Sequence, residues 1–203
     1  SGNTGIALAA AGAALGNPVK IIMPCNMSEE RKQMMRAFGA EVVEVGHSDF
    51  QGAIALRGQM MLTGEDVWSP MQFENLDNVE CHRDTTGPEI HLQLDPNMPW
   101  SGFVGGAGTG GTMMGMHDYR DKTKFLDYKC VLVVPEEDAQ NHGIQGINDG
   151  QDFLLDPDKM DDIMKVSTAD AIERARRLAQ ENGLLVGISA GANVLAAERW
   201  IAK

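Results

Sequence analysis

A glycine-rich segment, GGAGTGGT at residues 105–112, contains the residue types that most directly suggest chemistry. It follows the mostly apolar run 100–104 and precedes a run of helical character from Met113. Glycines let a backbone approach a ligand closely, and the free N–H groups of a helix's first turn attract anions. The hydroxyls of Thr109 and Thr112 can add hydrogen bonds. This glycine loop therefore predicts a site for a phosphorylated small molecule without identifying the molecule.

The first five residues, Ser1-Gly2-Asn3-Thr4-Gly5, form a second segment of this kind. Their small polar side chains come at the start of an alanine-rich run of high helix propensity. Free N–H groups at that helix start would suit a carboxylate. An ordinary helix cap without a ligand remains the alternative, because Ser and Asn are favoured capping residues anyway.

Composition narrows the classes of partner. The chain has 203 residues, of which 43% are hydrophobic, and a formal net charge of −12. These values indicate a soluble globular protein of one large or two small domains. The negative charge argues against nucleic acid or an anionic membrane as the partner, and no apolar run reaches the roughly 18 residues of a membrane span.

Cysteine and histidine positions predict neither a disulfide framework nor a metal site. The three cysteines, Cys25, Cys81 and Cys130, are widely spaced and odd in number, which fits a reducing, cytoplasmic location. The five histidines do not pair at ligand spacing. Cys81 and His82 are adjacent, but two neighbouring residues make a poor metal site by themselves.

Helical and strand patterns alternate along the chain. Helices are expected at 5–15, 28–38 and 49–63, with strands at 19–23 and 41–45, and this order is typical of a parallel sheet covered by helices. A domain crossover is placed near 67–77. The later elements are strands at 102–104, 129–134 and 163–166, a helix opened by Thr85-Thr86-Gly87-Pro88-Glu89, a helix at 168–182 capped by Ser167, and a final helix capped by Ser189.

A series of motifs, in order along nearly the whole chain, resembles the cysteine synthase family, the O-acetylserine sulfhydrylases. These are transferases that use pyridoxal phosphate on fold type II, the tryptophan synthase β-like fold. The sequence of residues 27–31, Met-Ser-Glu-Glu-Arg, looks closest to the B-type branch of this family. The matching segments are residues 1–9, 23–24, 27–31, 38–41, 72–78, 85–90, 108–112, 144–147 and 187–192.

The resemblance implies two open, mostly parallel sheets covered by helices. It implies a small mobile domain, 1–74, and an incomplete cofactor-binding domain, 75–203. Gly108, Thr109, Gly110, Gly111 and Thr112 would hold the phosphate of pyridoxal 5′-phosphate. Asn3 would contact the phenolic oxygen of the cofactor, and Ser1, Gly2, Thr4 and Gln72 would bind the carboxylate of the substrate.

The implied reaction is cysteine biosynthesis by β-replacement on O-acetyl-L-serine with sulfide, through an aminoacrylate. In the family, the lysine that forms the imine with the cofactor lies upstream of Ser1, and a further cofactor contact lies beyond Lys203. The catalytic lysine is therefore expected outside these residues. The chain is expected to be truncated at both ends and inactive alone. A homodimer and contact with a serine acetyltransferase are also implied.

Three alternatives remain open at this stage. The chain could belong to another β-replacing or β-eliminating enzyme, a cystathionine β-synthase or an O-phosphoserine-dependent synthase. It could be a non-catalytic fragment that binds a ligand or a partner protein. Lastly, Gly106, Gly108 and Gly111 spell a dinucleotide-binding fingerprint, although that interpretation leaves the other motifs unexplained.

Overall fold

Parallel strands flanked by helices build the two compact units of the chain, Ser1–Pro70 and Met71–Lys203. The division lies earlier than the expected boundary after residue 74, and the mobility of residues 1–74 stays a prediction. The computed structural model describes residues 2–64, 66–95, 97–98, 100–124, 126–138, 141–147 and 153–203.

The first unit contains two parallel strands, paired in register from Lys20 with Glu41 to Pro24 with Val45. Each predicted helix and strand of this unit is confirmed to within two residues at either end. Small and flexible apolar side chains fill its core: Ala9, Ile21, Met23, Met35 and Ala40. The elements are α1 (Asn3–Leu15), β1 (Lys20–Pro24), α2 (Glu29–Ala37), β2 (Glu41–Val45) and α3 (Phe50–Thr63).

The second unit contains a three-stranded parallel sheet in the order β3-β4-β5, so the α/β prediction is confirmed. Its elements are α4 (Asp77–Cys81), a π-helical segment (His82–Thr86), α5 (Gly87–Gln93), β3 (Gly102–Gly106), α6 (Gly111–Thr123), β4 (Lys129–Pro135), a 3₁₀ turn (Pro157–Lys159), β5 (Asp162–Val166), α7 (Thr168–Asn182) and α8 (Ile188–Ile201).

The central strand β4 is buried on both faces. Cys130 and Leu132 pack into one apolar cluster with Met113 and Met116 of α6. Val131 and Val133 pack into a second cluster, which includes residues of α7 and α8. Successive side chains of a strand point to opposite faces, so helices cover this sheet on both sides.

Two predicted helix starts are wrong. Thr85 does not open a helix, because the helix already begins at Asp77 and continues through the π-helical segment into α5. The N–H of Gly87 donates to the carbonyl of His82, five residues back. This wider turn accommodates Pro88 inside a continuing helix, where an ordinary α-turn would clash with the ring.

The second error concerns α8, which begins at Ile188. Its capping residue is Gly187, whereas the sequence predicted Ser189. The preceding cap is confirmed: the side chain of Ser167 accepts a hydrogen bond from the N–H of Asp170 at the start of α7. Gly183, with φ of 69°, ends that helix in the left-handed conformation that glycine favours.

Candidate functional site

The glycine loop joins the end of β3 at Gly106 to the start of α6 at Gly111. Gly110 occupies the capping position with φ of 92°, a conformation that L-residues with side chains rarely adopt. A β-carbon on Gly110 would also overlap the backbone of Leu155, and the N–H of Leu154 donates to the carbonyl of Thr109 at 2.9 Å. The loop is therefore held tightly against the segment that contains Leu154 and Leu155.

Backbone donors converge at this helix start. Among the described residues, the N–H groups of Gly108, Thr109, Gly110 and Thr112 have no hydrogen-bond acceptor. They lie in or next to the first turn of a 13-residue helix, where the helix dipole is positive. No acidic side chain lies in that turn. The predicted phosphate-binding residues thus come together as an anion site, and their donors fit a phosphate.

The amide of Asn78 connects the glycine loop to Gln72. Its Nδ2 donates to the backbone carbonyl of Gln72 at 2.9 Å and to Oγ1 of Thr109 at 3.0 Å. A β-carbon on Gly111 would overlap this amide, so only glycine permits the approach. Oγ1 of Thr109 also accepts from the N–H of Gly111 at 3.3 Å. With its oxygen accepting twice, the Thr109 hydroxyl keeps its hydrogen for a ligand.

His82 makes an equivalent contact with the other threonine of the loop. Its Nε2 lies 3.1 Å from Oγ1 of Thr112, and its Nδ1 lies 2.8 Å from Oγ1 of Thr86. Burial lowers the pKa of His82, so the imidazole is neutral near pH 7.

The predicted site residues did not include Asn78 or His82. In the sequence, Asn78 belongs only to a matching motif, and His82 stands out only as a neighbour of Cys81. A signal was available: Asn78, His82 and Thr86 are spaced four residues apart and form a polar stripe along one face of a helix.

The side chain of Gln72 has an unpartnered polar atom. Its Oε1 is buried and has no hydrogen-bond partner in the described part of the chain. Buried polar atoms are normally satisfied, so an orphaned amide beside a ligand site indicates a missing partner. A carboxylate would take the donor end of that amide after a rotation of the side chain.

The asparagine loop, residues 1–5, lies in the first unit; Ser1 is outside the described residues. Asn3 and Thr4 are exposed at the start of α1, and Gly2 occupies the capping position without a side-chain hydrogen bond. The guanidinium of Arg31 packs here, since a β-carbon on Gly2 would lie 3.3 Å from Nη1 of Arg31. A helix start and a cation together favour a carboxylate.

The chain has eight lysines, the residue type that forms an imine with pyridoxal phosphate. Six of the eight form ion pairs with carboxylates, and the remaining two, Lys124 and Lys165, are exposed. The paired lysines are Lys20, Lys32, Lys122, Lys129, Lys159 and Lys203. None lies in a segment that matches a family motif.

The described ranges contain no candidate metal site and no candidate membrane span. No group of three or more His, Cys, Asp or Glu side chains there could hold a metal ion. No helix among those residues is long and apolar enough to cross a membrane.

Comparisons with known proteins identify the family of the chain. A family model described as pyridoxal-phosphate dependent enzyme matches residues 1–203. A cysteine synthase from Staphylococcus aureus is 36% identical over 207 residues, which cover 97% of this chain and 66% of that protein. The chain therefore spans less than two thirds of the length of that curated relative.

Two solved structures are also similar. A hydrogen sulfide-producing enzyme from Fusobacterium nucleatum is 40% identical with a TM-score of 0.89, over 100% of this chain and 64% of that chain. An O-acetylserine dependent cystathionine beta-synthase from Helicobacter pylori is 35% identical with a TM-score of 0.83, over 97% and 66%.

Proposed function

The chain belongs to the pyridoxal-phosphate dependent enzyme family, and from this premise we propose that it forms the core of a cysteine synthase. The proposed reaction replaces the acetoxy group of O-acetyl-L-serine with sulfide. Similarity to a cysteine synthase over 97% of the chain supports this proposal. The single observation that carries it is the link made by Asn78 between the hydroxyl of Thr109 and the backbone carbonyl of Gln72, the residue whose side-chain Oε1 has no partner among the described residues.

The cofactor of this family is pyridoxal 5′-phosphate, whose ring, when bound, serves as an electron sink that lets the β-substituent of an amino acid leave. Residues Gly108 to Thr112 hold the phosphate through open N–H groups and the hydroxyls of Thr109 and Thr112. Their donors suit a dianion, and no first-turn acid repels it.

In this proposal the amino-acid substrate is bound through its carboxylate. Gln72 donates to the carboxylate from its amide, and Ser1, Gly2 and Thr4 offer hydroxyl and backbone donors. Arg31, which packs against Gly2, adds a positive charge to the same helix start. Asn3 donates to the phenolic oxygen of the cofactor and holds the ring in place. Such fixed positioning lowers the entropy cost of the reaction.

We infer that none of the eight lysines bonds to the cofactor. An imine-forming lysine needs a free, neutral amine. Six of these amines are ion-paired with carboxylates, and the other two are exposed and lie outside the matching motifs. The base that removes the α-proton is therefore expected outside residues 1–203. The chain alone is expected to be inactive.

A second candidate is synthesis of cystathionine, in which a thiol amino acid takes the place of sulfide. The similarity to an O-acetylserine dependent cystathionine beta-synthase favours it. The family match leaves the dinucleotide-binding alternative without support. A cytoplasmic homodimer that docks a serine acetyltransferase stays a prediction, and the free thiols of Cys25, Cys81 and Cys130 are consistent with a reducing compartment.

The test is a titration of the full-length protein loaded with pyridoxal 5′-phosphate. We expect a visible absorbance that changes on addition of O-acetyl-L-serine and recovers when sulfide is added, with formation of cysteine. L-Alanine, which has the carboxylate but no leaving group, is the control and should give no product. O-Phospho-L-serine, tested in parallel as the substrate, distinguishes an O-phosphoserine-dependent synthase. Homocysteine, tested in place of sulfide, distinguishes a cystathionine β-synthase. Absence of a spectral change with every β-substituted serine would contradict the proposal.

A further inference from the structure

His82, the middle residue of the polar stripe Asn78-His82-Thr86, contacts the first turn of α6. Its ring contacts Thr112 on one side and Thr86 on the other, at 3.1 and 2.8 Å. We infer that His82 is a positioning residue of the phosphate site: by donating from Nε2 to Oγ1 of Thr112, it directs the hydroxyl hydrogen of Thr112 toward the phosphate. This inference rests on the proposed function.

The direction of these hydrogen bonds follows from counting donors. A neutral imidazole has one N–H donor and one acceptor nitrogen. If Nε2 accepted from Thr112, the only hydroxyl hydrogen of Thr112 would be used on the ring. A phosphate oxygen can only accept, so it would then receive nothing from Thr112. If Nε2 donates, the hydrogen of Thr112 is free, and Nδ1 accepts from the hydroxyl of Thr86.

Thr109 has the same arrangement in the same loop. Its Oγ1 accepts from Asn78 and from the N–H of Gly111, which leaves its hydrogen available. Asn78 and His82 are four residues apart on one helix face, and each contacts one of the two loop threonines. The stripe thus orients both hydroxyls of the phosphate site.

The packing of α6 holds the ring in this place. Gly115 lies one turn after Thr112, and a β-carbon there would lie 2.5 Å from Cβ of His82 and 2.7 Å from the carbonyl of Val79. Only glycine allows the two helices to approach this closely. The contact with Thr86 then sets the rotation of the ring. Its position is determined by the fold and does not require the ligand.

Two substitutions distinguish the contact of His82 with Thr112 from its contact with Thr86. In His82→Gln, the amide nitrogen takes the place of Nε2 and can still donate to Thr112. In His82→Asn, the shorter amide replaces Nδ1 and can still accept from Thr86, but the donor to Thr112 is lost. Both keep the Cβ that packs against Gly115.

We expect the dissociation constant of pyridoxal 5′-phosphate from the full-length protein to rise about tenfold in His82→Asn, the effect of weakening a hydrogen bond to a charged group. In His82→Gln the rise should be only roughly two- to threefold. In a Thr112→Val background, His82→Asn should add no further loss, because the hydroxyl that it orients is gone.

Two spectroscopic measurements do not depend on activity. The ¹⁵N spectrum of labelled histidine should show His82 with its hydrogen on Nε2 in the cofactor-loaded protein. The ³¹P resonance of the bound cofactor should move in His82→Asn and in Thr112→Val, but not in His82→Gln. Hydrogen on Nδ1, or independent losses in the double variant, would overturn the inference.

Failure of the inference can be told from failure of the proposed function. If the unsubstituted protein does not bind pyridoxal 5′-phosphate, the proposed function fails. If it binds and His82→Asn binds equally well, only the role of His82 fails. Should His82→Asn not fold, as judged by circular dichroism, the His82→Gln variant and the ¹⁵N spectrum still decide the matter.

Discussion

At the scale of single residues, the proposed phosphate site depends on the direction of a few hydroxyl hydrogens. Thr109 and Thr112 each carry one hydroxyl hydrogen, and a neighbouring side chain decides whether a ligand receives it. The glycines matter for the same reason, because the Asn78 amide reaches Thr109 only where Gly111 has no β-carbon.

Thr109, Thr112 and Gln72 should separate cofactor binding from substrate binding. Thr109→Ala and Thr112→Ala each remove a donor to a phosphate, so the dissociation constant of pyridoxal 5′-phosphate should rise about tenfold in each. Gln72→Ala should leave that constant unchanged and raise the KM for O-acetyl-L-serine. Equilibrium dialysis and steady-state kinetics measure the two effects. Equal loss of cofactor in all three variants would show that this division of roles is wrong.

At the scale of elements, Asp161 fixes the end of α6 that lies away from the glycine loop. Its Oδ2 accepts from the N–H of Cys130 at 2.8 Å and from Nη1 of Arg120 at 2.6 Å. Arg120, on the last turns of α6, also donates to the carbonyl of Tyr128. Asp161 therefore holds α6 against the start of β4, and the first turn of α6 keeps its place at the opposite end.

Asp161 should give the protein a pH-dependent stability. Burial opposes its ionisation, but the hydrogen bonds from Cys130 and Arg120 outweigh this and lower its pKa. Its stabilising contribution is therefore present above the ordinary aspartate pKa of about 4 and is lost as the pH falls below it. Asp161→Ala should cost about 1 kcal/mol at pH 7, since the side chain is 24% exposed and solvent screens part of the pair.

Urea denaturation at several pH values checks this prediction. Asp161→Asn keeps an oxygen for the N–H of Cys130 but loses the charge, so it should be less destabilising than Asp161→Ala. The difference in unfolding free energy between the unsubstituted protein and Asp161→Asn should shrink as the pH is lowered from 6 to about 3. A difference that stays constant over this range would rule out the ion pair as its source.

At the scale of the whole molecule, each compact unit has an apolar core of its own. Met35 is fully buried in the first unit among Ala9, Ile21 and Met23. Met116 is fully buried in the second unit beside Tyr128 and Cys130. Because neither cluster includes residues of the other unit, we expect the two cores to stabilise their own units separately.

Methionine truncations test that independence. Met35→Ala should destabilise the first unit by roughly 2–5 kcal/mol, the usual cost of a cavity in place of a buried methionine. Hydrogen exchange should then accelerate in β1 and β2 and stay slow in β4. Met116→Ala is the matched control and should give the reverse pattern. Equal acceleration in both units would mean that the molecule unfolds as one cooperative body.

Much of the fold could be predicted from sequence because its signals are local. The alternation of apolar helices and short β-branched strands specified the parallel α/β class, and the motifs in order specified the family. The glycine loop could be located from its residue types, since glycine and a following helix start lie within one short segment. The hydroxyl of Ser167, a local cap, was likewise predictable.

The wrong helix starts have a physical reason in longer-range structure. Pro88 indicates a first turn when only its neighbours are considered. A π-helical turn removes that restriction, and it forms where the helix packs against Tyr119 of α6, on which a β-carbon at Gly87 would collide. No pattern confined to residues 85–89 contains that contact.

By itself, the sequence determined the class of fold, the family and the location of the glycine loop that we propose binds a phosphate, because each depends on residues close together in the chain. Only the tertiary structure decided which side chains orient the two threonine hydroxyls. Asn78 and Thr109 are 31 residues apart, and His82 and Thr112 are 30 apart. Such pairs meet only when one helix packs on another, so their hydrogen bonds follow from packing and not from local pattern.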